Sequence, residues 1–122
     1  MKSCVVENHS LSEIEVSPSC DQAHLMFTSC SHPYTNLDIL CTNVAMIHYY
    51  RTLGDEAPFF IGRVEWGALS TLDIESKCIA MGYPFRDSSG RCFNTGNEQM
   101  YFLHAEGAIC CEIVCGSIDV LM

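Results

Sequence analysis

Basic side chains are scarce. The chain has 122 residues, and only six are Lys or Arg against fifteen Asp or Glu, for a net charge of −9. The six are Lys2, Arg51, Arg63, Lys77, Arg86 and Arg91, and they are scattered. Recognition of nucleic acid needs cations gathered on one face, so neither nucleic acid nor an anionic membrane surface is an expected partner. The acids are scattered too, as in Asp55-Glu56 and Asp73-Ile74-Glu75. That is the pattern of a solvated surface whose charge serves solubility.

Long apolar runs are also lacking. In MKSCVVENHS only Cys4-Val5-Val6 is apolar before Glu7 interrupts, whereas a leader needs roughly 7–15 apolar residues. No run approaches the ~18 of a membrane span. The expected localisation is cytoplasmic. The alternative is secretion after removal of a leader not present here, which the Asn8-His9-Ser10 sequon would suit. No P-loop, GxGxxG, GxSxG, HExxH or CxxC occurs, so no cofactor is expected and an enzyme is less expected than a binding module.

What is present is a globular composition, 48% hydrophobic and 17% charged. A chain of this length hides roughly two-thirds of its unfolded surface and can build a core without metals or disulfides. Residues 1–122 therefore read as a single domain, with 1–11 as a candidate flexible arm. Ile14 and Val16 alternate with Glu13 and Glu15, which suggests a first strand around Ser12–Val16, stopped by Pro18. AHLMFTSC reads as a strand and SHPYTN as a loop. In NLDILCTNVAMIHYYRTLG, residues Leu37, Leu40, Cys41, Val44, Ile47, His48 and Arg51 fall at helical spacing, with Asn36 as cap and Gly54 as left-handed stop. The spacing predicts a helix over Leu37–Leu53. FFIGRVEW and ESKCIAMGY read as strands, and FRDSSGRCF as a turn. QMYFLHA and AICCEIV read as two strands joined at Glu106-Gly107 in a tight hairpin, with SIDVLM as a last strand. The expected fold is α+β, one long helix packed on a mostly antiparallel sheet of about five or six strands.

Nine cysteines cannot all pair within the chain. The stretch GAICCEIVCG holds Cys110, Cys111 and Cys115. On a strand Cys111 and Cys115 share a face but stand roughly 13 Å apart at about 3.3 Å per residue. That is too far for one zinc or one disulfide, and both read as small buried hydrophobes. The candidate metal set is Cys20, His24, Cys30 and His32, spaced C-x3-H-x5-C-x-H. Its residue types suit zinc and its spacing matches no zinc pattern.

The catalytic candidates are single residues. His48 and Tyr50 lie in IHYY. Cys92 follows a turn beside Arg91, which can lower a thiol pKa. His104 lies in a strand, and Glu65-Trp66 could rim a pocket. No triad can be assembled from them.

CSHPYTNLDILC, IHYY, APFF and LDI occur in an order that resembles the small immunoglobulin-like accessory proteins of SARS-type coronaviruses. The resemblance implies an all-β immunoglobulin-like sandwich, secreted and disulfide-linked, that modulates host immunity. FFIGRVEW lacks the cysteine that the resemblance would require.

The leading functional expectation is a non-catalytic protein–protein interaction or assembly module, self-associating through a carboxy-terminal sheet edge at Ile118, Val120 and Leu121. The partner is another protein or a second copy. The immunoglobulin-like reading is the first alternative. A small enzyme or ligand-binding domain, with a pocket between helix and sheet, is the second.

Overall fold

The computed structural model describes residues 3–52, 54, 56–70, 76 and 99–121. They form six strands: β1 (Cys4–Val16), β2 (Gln22–Ser29), β3 (Asn36–Arg51), β4 (Phe59–Leu69), β5 (Met100–Gly107) and β6 (Ile109–Leu121). Each pairs antiparallel with its neighbours, and the order β1-β2-β3-β6-β5-β4 closes into a barrel. Closure gives each of the six described strands two neighbours, which is how all-β chains avoid open edges.

The expected α+β fold is overturned. Where the helix over Leu37–Leu53 was expected, Asn36–Arg51 is one strand of 16 residues. The helical spacing has a physical source. Leu37, Ile39 and Cys41 face inward at the strand period of two. Asn43 then takes a left-handed φ of 53°, and a bulge follows between Val44 and Met46. Each irregularity inserts a step of three, so the inward set becomes Leu37, Ile39, Cys41, Val44, Ile47 and Tyr49. Steps of three mixed with steps of two imitate a helical face. Gly54 does adopt a positive φ of 92°, but it lies between two strands and ends no helix. The immunoglobulin-like alternative does not hold either, because one closed sheet replaces two packed ones.

Other readings meet the structure directly. Residues 4–11 of the expected arm are the first half of β1, paired with β4 from Cys4↔Trp66 to Leu11↔Phe59. β5 and β6 pair as a hairpin, but its turn lies over residues 107–109 and not at Glu106-Gly107, because Glu106 is itself paired with Cys110. The last strand is continuous with β6. ESKCIAMGY and FRDSSGRCF lie outside the described residues, apart from Ser76.

The lumen is filled by Leu11, Leu25, Phe27, Ile39, Ile61, Leu103 and Ile113, each at most 1% exposed. Burying side chains of this size stabilises by roughly 1.5–3 kcal/mol apiece. Cys111 and Cys115 are buried on one face, as the alternation requires, and Cys41 joins them from β3. Among the described residues no polar or charged side chain is buried.

Candidate functional site

The β-ladders stop short at one end of the barrel. The ladder from β1 to β4 ends at Leu11↔Phe59, while β1 runs on beside β2 to Val16↔Ala23. The ladder from β2 to β3 ends at Gln22↔Thr42, while β3 runs on beside β6 to Arg51↔Ile109. A pocket of about 500 Å³ opens there. Leu11, Ile14, Val16 and Ala23 bound it on the β1–β2 side, and Ile47, Tyr49, Cys111 and Ile113 on the β3–β6 side. Phe59 opens β4, and Ala57 lies two residues before it.

Two bulges shape the lining. An extra residue at Ser12 shifts the β1 register between Leu11 and Glu13, which brings Ser12 and Glu13 into the wall beside Ile14. The bulge in β3 turns Ile47 and Tyr49 toward the pocket. Among the described residues three polar side chains line it: Ser12, Glu13 and Tyr49. The Ser12 hydroxyl donates to the Met26 carbonyl at 3.1 Å. Arg51 lies outside the lining, its guanidinium carbon 5.9 Å from the centroid of the Phe59 ring.

Cys111 is the one thiol that lines the pocket among the described residues, and burial pushes it up to about 12. It therefore stays protonated and is a poor nucleophile. Deeper in, Cys41 and Cys115 hydrogen-bond each other, and Cys115 donates onward to the Tyr101 carbonyl at 3.9 Å. The bond to Cys115 and burial both raise the Cys41 thiol. These are packing thiols, joined in a chain of weak hydrogen bonds.

Of the single-residue candidates, His48, Tyr50, His104 and Glu65 lie on the outer wall. His48 and Tyr50 stack edge to face with ring centroids 4.9 Å apart. Neighbouring Cys110 is the largest cause that raises the Tyr50 phenol, which disfavours it as a base. Cross-strand register places Glu65, His104, Glu112 and His48 in one row across four strands. His104 contacts Glu112 at 3.0 Å and Glu106 at 3.1 Å. Carboxylates thus face both ring nitrogens, so the row is a polar ladder with no nucleophile beside the ring. Glu65 is held below the usual carboxylate range by the Ser3 hydroxyl and then by Arg63. Trp66 packs against the core. Cys92 lies outside the described residues.

The metal candidates are not brought together. Cys20 sits in the turn before β2 and Cys30 just after it, at opposite ends of an 8-residue strand. Ten residues of extended chain span roughly 33 Å. His24 lies 3.7 Å from Asp38, and His32 stacks on Tyr34. Among the described residues no three His, Cys, Asp or Glu side chains gather around a possible ion. Of the interface candidates, Ile118 and Val120 pack against the core from inside, opposite Cys41 and Ile39, while Leu121 is exposed.

Sequence reasoning missed the pocket. Its lining reads as ordinary strand hydrophobics, and only knowledge of which strands adjoin would group them.

No family model matches the chain, and no curated protein matches it significantly. Among solved structures it is similar to the crystal structure of an uncharacterized protein from Neisseria gonorrhoeae, with a TM-score of 0.61 and 17% identity over 100% of this chain and 99% of that one. At that identity the likeness concerns the fold alone.

Proposed function

We propose that this barrel binds a small, mainly apolar molecule in the pocket at its splayed end. The observation that carries the reading is the 500 Å³ pocket itself, walled by aliphatic and aromatic side chains with three polar ones among them. Ligand sites typically have this size and this mix of an apolar wall with a few polar groups. The contained thiol is a poor nucleophile, and among the described residues no acid–base pair lines the wall, so the reading is of a binder.

Titration with the neutral dye N-phenyl-1-naphthylamine tests it. One saturable site per chain is expected, with a rise in dye fluorescence. Ala23→Phe places a ring in the space the ligand would take and should abolish binding while the protein stays folded. Ala57→Trp, at the exposed rim, should do the same with less demand on the core. Absence of saturable binding, or binding indifferent to both variants, overturns the reading.

A second reading keeps the protein partner or second copy. Its support is the exposed Tyr50, Phe60 and Leu121 on the outside of the wall. Sedimentation at tens of micromolar protein checks self-association. A monomer at every salt concentration removes that form of the reading.

A further inference from the structure

We infer that the pocket selects an amine-headed apolar molecule, with its tail in the barrel and its ammonium at Glu13. The inference rests on the ligand-binding reading above and adds the chemistry of the ligand.

Consider what the polar side chains of the lining can offer. The Ser12 hydroxyl spends its hydrogen on the Met26 carbonyl, so it presents only lone pairs. Glu13, exposed at the mouth, presents only carboxylate oxygens. It has no hydrogen-bond or ion-pair partner among the described residues. Both acceptors are adjacent on β1 because the bulge at Ser12 carries the two of them into the wall. Tyr49 is the third polar group and can donate or accept. Among the described residues no cation lines the pocket.

A carboxylate head would therefore enter beside Glu13 without a charged partner among the described residues, against a chain of net charge −9. An ionised group brought out of water without a partner is costly. An ammonium head brings three donors to a site built of acceptors. The size limit follows from the volume. At roughly 30 Å³ for a water-sized group in a liquid, 500 Å³ admits on the order of 15 non-hydrogen atoms. A single chain or one or two small rings fit, and a two-chain lipid does not.

Competition against N-phenyl-1-naphthylamine at pH 7.5 tests the head group with one tail throughout: decylamine, decanol and decanoate. Decylamine should displace the dye at concentrations about two- to fivefold below decanol, the range of an exposed ion pair. Decanoate should be at least about tenfold weaker than decylamine, the effect of roughly 1.4 kcal/mol for an unpaired charge. Glu13→Gln should bring decylamine to the level of decanol. Glu15→Gln removes the same charge from the same strand outside the lining and should leave the order intact, which separates the site from the field of the whole chain. If the dye and decanol bind but decanoate matches decylamine, or if Glu13→Gln leaves the order unaltered, the inference falls and the apolar pocket stands. If neither the dye nor any of the three binds, both fall together.

Discussion

Gly116 lies against Asn43 so closely that a Cβ on the glycine would stand 2.8 Å from Asn43 Nδ2 and 2.9 Å from Asn43 Cβ. The two residues face each other where β3 and β6 bend together, between the pairs Thr42↔Ser117 and Val44↔Cys115. Asn43 takes its left-handed φ of 53° at that point. Gly116→Ala should therefore destabilise by about 1–3 kcal/mol, as overpacking does. Asn43→Gly removes the obstructing side chain and suits the positive φ. The double variant should recover most of the loss, as urea midpoints of the four proteins would show. Additive losses would mean that the contact is not the cause.

Gly107 is a sharper case. A Cβ there would meet backbone, 2.7 Å from Ile61 Cα and 2.9 Å from the Gly62 nitrogen. No side-chain rotation relieves this. Gly107→Ala should lower stability by more than Gly54→Ala, where nothing lies within 4 Å and only the positive φ of 92° opposes a side chain. Gly54→Ala should cost about 1 kcal/mol. Thermal melts of the two variants check the order.

Much of the strand content was legible, and particular residues show why the rest was not. Ile14 and Val16, and the pairing of β5 with β6 across a short turn, obey rules that act over a few residues. β3 breaks them, because Asn43 and the bulge after Val44 change the period within one strand. Both irregularities are set by pairing with β6, some seventy positions away (Val44↔Cys115 is one such pair), and local spacing holds no trace of that. The pocket failed to appear for the same reason. Val16, Ile47 and Ile113 are neighbours only once β1, β3 and β6 curl into one wall.

Val120 illustrates the consequence for surface design. It packs against the core opposite Ile39, while Leu121, next along β6, is 69% exposed. Val120→Lys should cost about 1–3 kcal/mol by bringing a charge against apolar neighbours, whereas Leu121→Lys should stay within about 0.5 kcal/mol. Guanidinium unfolding of the two variants would separate them. Equal stabilities would place Val120 outside the core.

The thiols should divide by depth. Cys4, Cys20 and Cys30 are exposed, whereas Cys41, Cys111 and Cys115 are buried, with Cys111 pushed up to about 12. At pH 8 a charged aromatic disulfide reagent should modify the first three in the folded protein and spare the second three. All nine should react in denaturant. Peptide mapping by mass spectrometry identifies the sites. Rapid labelling of Cys111 in the native state would show that the pocket admits charged solutes and water freely.

Acid should reveal the β1–β2 turn. Asp21 accepts from the Ser19 hydroxyl at 2.5 Å and from the Ser17 hydroxyl at 2.8 Å, and these bonds hold its carboxyl below its usual value near 3.8. A carboxyl whose pKa is lower folded than unfolded stabilises the fold above its unfolded value. That contribution is lost as pH falls through the folded one. Asp21→Asn should therefore be less stable than the parent at pH 7. The gap should begin to close below about pH 4, because protonated aspartic acid then resembles the amide. Absolute stability is a poor readout, since discharging the net −9 relieves self-repulsion over the same range. The difference between the two proteins cancels that common part. Urea midpoints at several pH values from 7 to 3 measure it. A gap that stays constant across the range would mean that the serine bonds do not distinguish the ionised carboxylate from its neutral form.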